Sequence, residues 1–139
     1  MSKKHVLILC TGNSARSQMA EGLVNHFLGE RWRASSAGTQ PTGRVHPLAI
    51  QAMAEIGVDI SHHRSKSADE FREVVLDLVV TVCDEAAENC PVWLGAGRSV
   101  HLGFPDPARV RGPAAEQLAA FRQVRDGLRQ CLLVFLREM

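Results

Sequence analysis

The stretch His5-Val6-Leu7-Ile8-Leu9-Cys10-Thr11-Gly12-Asn13-Ser14-Ala15-Arg16-Ser17 decides the fold. Its first six residues form a short apolar, β-leaning run bounded by Lys3-Lys4 and by Thr11-Gly12-Asn13. An unbroken apolar run of this length reads as a strand covered on both faces, as in a parallel sheet. A helical pattern opens at Ser17, with Met19, Leu23, Val24, Phe27 and Leu28 on one side, Glu21 early in the helix and Gly29 at its end. The unit is strand, tight loop, helix.

Working outward, Trp32 to Ser36 alternates weakly and stops at Gly38, which predicts a second strand, and Pro47 to Ile56 followed by Gly57 predicts a second helix. A short helix is expected over Ala68 to Val74. Val79 to Val82 lies in the most strand-like run of the chain, and Ser99 to Leu102 is a shorter strand that stops at Gly103-Phe104-Pro105. From Pro113 to Leu136 the positions Leu118, Phe121, Val124, Leu128, Cys131, Leu132 and Phe135 recur at helical spacing, so Cys131 reads as a packed core thiol and Arg122, Arg125 and Arg129 as a solvated face. Alternating strands and helices predict one α/β domain over residues 1–139: a four-stranded parallel sheet with helices on both faces and right-handed crossovers. A ligand in such a sheet sits beyond the carboxyl ends of the strands, where Cys10, Cys83 and the loop after Leu102 all fall.

Composition narrows the classes. The 139 residues are 45% hydrophobic and 22% charged, which is globular composition, and a net charge of +1 gives no field for nucleic acid or an anionic membrane. The apolar run at the N-terminus is too short for a signal peptide, and no segment reaches the roughly 20 apolar residues of a membrane span. A cytoplasmic monomer acting on a small partner is expected. In that setting the four cysteines are better read as catalytic, metal-binding or core thiols than as structural disulfides.

The loop from Cys10 to Ser17 suits a tetrahedral oxyanion. Consecutive backbone N–H groups of Thr11, Gly12, Asn13, Ser14, Ala15 and Arg16 can form a concave nest, the helix N-terminus adds its positive end, and the Arg16 guanidinium can clamp two oxygens. Gly12 lets the backbone turn closely. The same field favours a thiolate at Cys10, and Ser17 can donate a hydrogen bond to it. The Gly-Lys-Ser/Thr ending of a nucleotide-binding P-loop is absent.

A cysteine, five residues, then Arg16 and Ser17 resembles the active-site signature of the low-molecular-weight tyrosine phosphatases and of the arsenate reductases related to them. The resemblance covers essentially the whole chain and implies that fold, with Cys10 as nucleophile. The family carries a general acid in an Asp-Pro motif after its last strand, which Asp106-Pro107 resembles; the lesser reading of the residues alone is a turn-forming Asp106.

Phosphate and arsenate share shape and charge, so the anion loop does not choose between them. Reducing arsenate to arsenite takes two electrons, the number released when one disulfide forms, so a reductase needs thiols beyond its nucleophile. Thr81-Val82-Cys83-Asp84-Glu85-Ala86-Ala87-Glu88-Asn89-Cys90-Pro91 resembles the redox segment of thioredoxin-coupled arsenate reductases. That resemblance implies that Cys10 attacks arsenic, Cys83 attacks the Cys10 adduct, and Cys90 takes Cys83 to leave a Cys83–Cys90 disulfide, which thioredoxin or another thiol donor reduces. If residues 84–89 were helical, Cys83 and Cys90 would stand roughly 10 Å apart. A disulfide tolerates only about 4.4–6.8 Å, so pairing them requires the segment to unwind.

The chain has no tyrosine, and Ala108-Arg109-Val110 follows the Asp-Pro pair where the phosphatases usually carry tyrosines, which disfavours a peptide substrate. The alternatives are a phosphatase acting on phosphomonoesters or phosphotyrosine, and a non-enzymatic oxyanion-binding or redox-sensing module. Zinc on Cys83, Cys90 and His101 would leave Cys10 and Arg16 unexplained, so no metal and no tightly bound cofactor are expected. Some related reductases hold a monovalent cation with residues resembling Asn13, Glu21 and Ser36 and an aspartate where this chain has Lys66, whose ammonium would replace the ion. Arsenate is the expected substrate, with phosphate or sulfate competing. The resemblance leaves thioredoxin, mycoredoxin and glutaredoxin with glutathione open as donors.

Overall fold

The computed structural model describes residues 3–84 and 98–139. Four strands, β1 (Lys4–Cys10), β2 (Trp32–Gly38), β3 (Leu78–Thr81) and β4 (Ser99–His101), form one sheet in the order β2-β1-β3-β4, and every pairing is parallel. The described helices are α1 (Arg16–Phe27), α2 (Pro47–Ala54) and α3 (Ala114–Arg137), with single 3-10 turns at Ala68–Phe71 and Pro107–Arg109.

The apolar run places β1 in the middle. Val6, Leu7, Ile8 and Leu9 are all fully buried, which only a strand with both neighbours and both faces covered can achieve. Met19, Leu23 and Val24 of α1, Ala49, Ala52 and Met53 of α2, and Phe121, Leu128, Leu132 and Leu136 of α3 complete the core. Gly22 allows α1 to approach closely, since a Cβ there would lie 2.7 Å from a methyl of Ile60. At the far end of the sheet the Trp32 indole N–H donates to the Leu136 carbonyl at 3.3 Å, tying β2 to the end of α3.

The chain leaves β1 toward β2 on one side and returns to β3 on the other, so the strand order reverses between β1 and β3. That is where a parallel sheet opens a crevice at its carboxyl end. Val82 N–H donates to the Leu9 carbonyl at 2.9 Å, so Cys10 and Cys83 leave neighbouring strands side by side.

Four local expectations need correction. The segment expected as a helix over 68–74 makes only a 3-10 turn ending at Phe71, and Val74 and Val75 are exposed. Helix α2 stops at Ala54 rather than Ile56. Cys131 is exposed rather than packed: the buried stripe of α3 runs through Phe121, Val124, Arg125, Leu128, Leu132, Leu133 and Leu136, and Cys131 falls outside it. Arg125, expected in water with Arg122 and Arg129, is buried; its guanidinium donates to the Ala52 carbonyl at 2.8 Å and to Glu55 at 2.9 Å. Among the described residues, no helix is long and apolar enough to cross a membrane.

Candidate active site

The anion loop is held from outside by its carbonyls. Those of Cys10, Thr11, Gly12 and Ser14 accept from the backbone N–H groups of Thr39, Gln40, Thr42 and His46, and that of Asn13 accepts from the Gln18 amide at 3.1 Å. In a trans peptide the next N–H points opposite the carbonyl, so the loop's N–H groups turn inward. One of them, on Asn13, reaches the Cys10 sulfur at 3.2 Å. The N-terminus of α1 has no side-chain cap and no acidic residue in its first turn, so its own N–H groups and positive end serve the same concavity.

Behind the loop Asn13 organises a buried web. Its backbone is left-handed at φ 48°, a conformation asparagine tolerates better than most residues. The Lys66 backbone N–H donates to Asn13 Oδ1 at 2.9 Å, which fixes the amide so that Nδ2 faces Ser17 Oγ at 2.8 Å and Ser36 Oγ at 3.0 Å. Ser17 thus accepts from Asn13 and has its own proton to give to Cys10, whose Sγ lies 2.8 Å away. Ser36 in turn donates to Glu21 at 2.7 Å. Around Glu21 stand His63, 3.3 Å away, and the Lys66 ammonium, 3.8 Å away, which also donates to the Arg64 carbonyl. Burial lowers the pKa of both His63 and Lys66 and outweighs the opposing pull of Glu21.

In front of the loop is a cavity of about 940 Å³ that gathers Cys10, Thr11, Gly12, Ser14, Ala15 and Arg16 with Cys83 and Asp106. Arg16 donates to the Phe104 carbonyl at 3.1 Å and stands 3.8 Å from the Asp106 carboxylate. Asp106 also accepts from the Ala108 N–H at 3.0 Å, so it caps its own turn and faces the cavity at once. Cys83 is buried, and its sulfur lies 3.2 Å from the Thr11 hydroxyl. Cys90 lies outside the described residues.

Sequence reasoning missed Gln18 and His63, which lock Asn13 and Glu21, and His46. The His46 Nδ1 caps α2 by accepting from Leu48 N–H at 3.1 Å, while its ring lines the cavity. The histidine just before Pro47 was the signal for that cap.

A buried thiol with two hydrogen-bond donors, set in a ring of inward N–H groups beside a guanidinium, is built to attack a bound tetrahedral oxyanion. Fold and site together are those of the phosphatase type. The comparisons with known proteins agree: residues 5–139 match the low molecular weight phosphotyrosine protein phosphatase model, and the chain belongs to that family. An arsenate reductase of Halalkalibacterium halodurans is 46% identical over 97% of this chain and 96% of its own length. One from Bacillus subtilis is 45% identical over 91% of this chain and 90% of its own. A solved arsenate reductase in its phosphate-binding state superposes with a TM-score of 0.78, at 28% identity, covering 97% of this chain and 98% of that one.

Proposed function

We propose that this protein is an arsenate reductase working through a relay of Cys10, Cys83 and Cys90. The observation that carries the reading is the second thiol: Cys83 opens on the same cavity as Cys10, on the neighbouring strand, with a hydroxyl partner at 3.2 Å. Hydrolysis of a phosphate ester has no use for it.

Arsenate binds in the ring of N–H groups with Arg16 clamping two oxygens, and phosphate or sulfate competes for the same seat. The Cys10 thiolate attacks arsenic and an arsenate oxygen leaves as water, Asp106 supplying a proton. Cys83 then attacks the Cys10 sulfur. A sulfur–sulfur bond forms, the sulfur–arsenic bond breaks, and its electron pair stays on arsenic, which departs as arsenite. Cys90 attacks Cys83, frees Cys10 as thiolate and leaves a Cys83–Cys90 disulfide. An external dithiol protein, thioredoxin by the family resemblance, reduces that disulfide.

The reading includes no bound cation. The Lys66 ammonium stands beside Glu21, so turnover in potassium and sodium salts should agree, whereas Lys66→Asp should make the rate rise with potassium. Equal potassium dependence in both proteins would remove Lys66 from this role.

The decisive assay is arsenate-dependent NADPH consumption with purified thioredoxin, mycoredoxin and glutaredoxin systems. Cys10→Ser should abolish it together with any hydrolysis of a small aryl phosphate. Cys83→Ser and Cys90→Ser should stop multiple turnover while sparing that hydrolysis, and Cys90→Ser should trap a Cys10–Cys83 disulfide. Normal cycling by Cys90→Ser would overturn the relay in favour of a donor acting directly on the Cys10 adduct. The second reading, a phosphatase for small phosphomonoesters, draws on Asp106 beside Arg16 and would be left standing if no donor system supported arsenate reduction.

A further inference from the structure

We infer that His101 is a clamp across Cys83, a positioning residue that holds the second thiol in line with Cys10. The inference rests on the reading of Cys83 as the thiol that resolves the Cys10 adduct. Strand β4 is short and mostly exposed, a place where an imidazole would ordinarily be solvated. Here both ring nitrogens are engaged. Nδ1 lies 2.8 Å from the hydroxyl of Thr81, the last residue of β3, and Nε2 lies 2.9 Å from the carboxylate of Asp84. One ring therefore bonds the side chain two residues before Cys83 and the side chain one residue after it. A Cβ on Gly103 would stand 3.0 Å from Nε2, so the glycine leaves the ring its room.

The backbone explains why a side-chain clamp is useful at this point. Leu102 N–H donates to the Thr81 carbonyl, and Val82 is held from both sides, by Leu9 through its N–H and by Phe104 through its carbonyl. Cys83 follows directly, where the ladder has ended. Its thiol rests on Thr11 at 3.2 Å, and an attack on the Cys10 sulfur requires that position to be kept. With a neutral imidazole the Thr81 hydroxyl donates to Nδ1, the nearer of its two acceptors, since the Val100 carbonyl is 3.5 Å away, and the Nε2 hydrogen is donated to Asp84. An imidazolium donates from both nitrogens and keeps the clamp as well, so the device does not depend on the ring's charge. Thr81 is buried and its arm is shielded, while the Asp84 carboxylate faces solvent. The inner arm places the ring, and the outer arm carries that placement across Cys83.

Site-resolved alkylation tests this. Reduced protein is treated with iodoacetamide, and labelling of Cys83 is followed by tandem mass spectrometry beside single-turnover release of arsenite. In His101→Ala and Asp84→Ala, Cys83 should be labelled roughly three to ten times faster and arsenite released slower by a similar factor. Aryl phosphate hydrolysis by His101→Ala should stay within about twofold of wild type, which separates the clamp from general loosening. Asp84→Asn keeps an oxygen acceptor for Nε2 and should behave as wild type. Equally fast labelling in Asp84→Asn and Asp84→Ala would overturn the clamp in favour of a plain charge effect on the thiol, and unchanged labelling in His101→Ala would overturn it outright. Thr81→Val removes the inner arm with little change of shape and should repeat the His101→Ala result, including where the alanine variant folds poorly. If the wild type releases no arsenite through Cys83, the reductase reading fails, and the labelling rates still judge the clamp.

Discussion

Ser17 receives a hydrogen bond from Asn13 and has its proton free for Cys10, so removing one hydroxyl removes the shorter of the two contacts to the Cys10 sulfur. A hydrogen bond to a charged group contributes about 1.5–3 kcal/mol. Ser17→Ala should therefore slow aryl phosphate turnover at neutral pH by roughly 10–100-fold, measured as kcat. Asp106→Asn tests the acid: if Asp106 protonates the leaving oxygen, the rate should fall by about 10²–10⁴-fold, and a rate near wild type would leave it a turn cap. Cys10, Arg16 and Ser17 were legible in the sequence because their geometry is local, a strand end followed by a helix start. Lys66 was placed beside Asn13 and Glu21 by the family resemblance, but Gln18 and His63 were not legible. They meet around Asn13 and Glu21 only because the segment after α2 folds back against α1, and a pattern read along the chain carries no trace of a contact 45 residues apart.

Helical spacing announced α3 but did not set its rotation. Phe121, Val124, Leu128 and Leu132 were read correctly, and Cys131 was added because it also fits a three-residue step from Leu128. Burying Phe121, Val124, Leu128, Leu132, Leu133 and Leu136 sets the rotation, which brings Arg125 into the α2–α3 interface, where it meets Ala52 and Glu55, and leaves Cys131 outside the core. The two positions should respond oppositely in urea unfolding. Leu128→Ala, fully buried, should cost about 2–5 kcal/mol, whereas Cys131→Ser should stay within about 0.5 kcal/mol of wild type. Comparable losses at both would place Cys131 back in the core. The 3-10 turn at Ala68–Phe71 was over-read for a related reason: a single capped turn and a longer helix begin with the same residues, and only the exposed Val74-Val75 pair beyond it separates them.

The molecule as a whole carries three histidines whose pKa values lie below the ordinary 6.5, and in each case burial is the leading cause. His5 is the clearest, packed between Ser35 and Arg33 at the end of the sheet away from the site. The unfolded chain takes up protons near pH 6.5 while the folded chain resists until lower pH, so this contribution to stability is complete above 6.5 and is lost as pH falls through the lower, folded values. Glu55, held down to about 2 by hydrogen bonds from Arg122 and Arg125, adds a contribution present above 4.5 and lost below it. The thermal midpoint should therefore decline between pH 7.5 and 5.5 and decline again below about 4.5. His5→Gln should flatten the first slope, and a midpoint independent of pH over that range would show that these histidines do not titrate on unfolding. The parallel sheet and the site at its carboxyl end were legible because strands and helices alternate along the chain. The central place of β1 has a consequence for how the protein is made. Val6 must wait for Leu78, and Leu9 for Thr81, so β1 gains its second neighbour only once β3 has been made. Until that strand is made, a nascent chain holds the Cys10 thiol outside the packed site that buries it in the finished fold. The yield of active protein should follow the redox state of the cell during synthesis more closely than that of the finished enzyme.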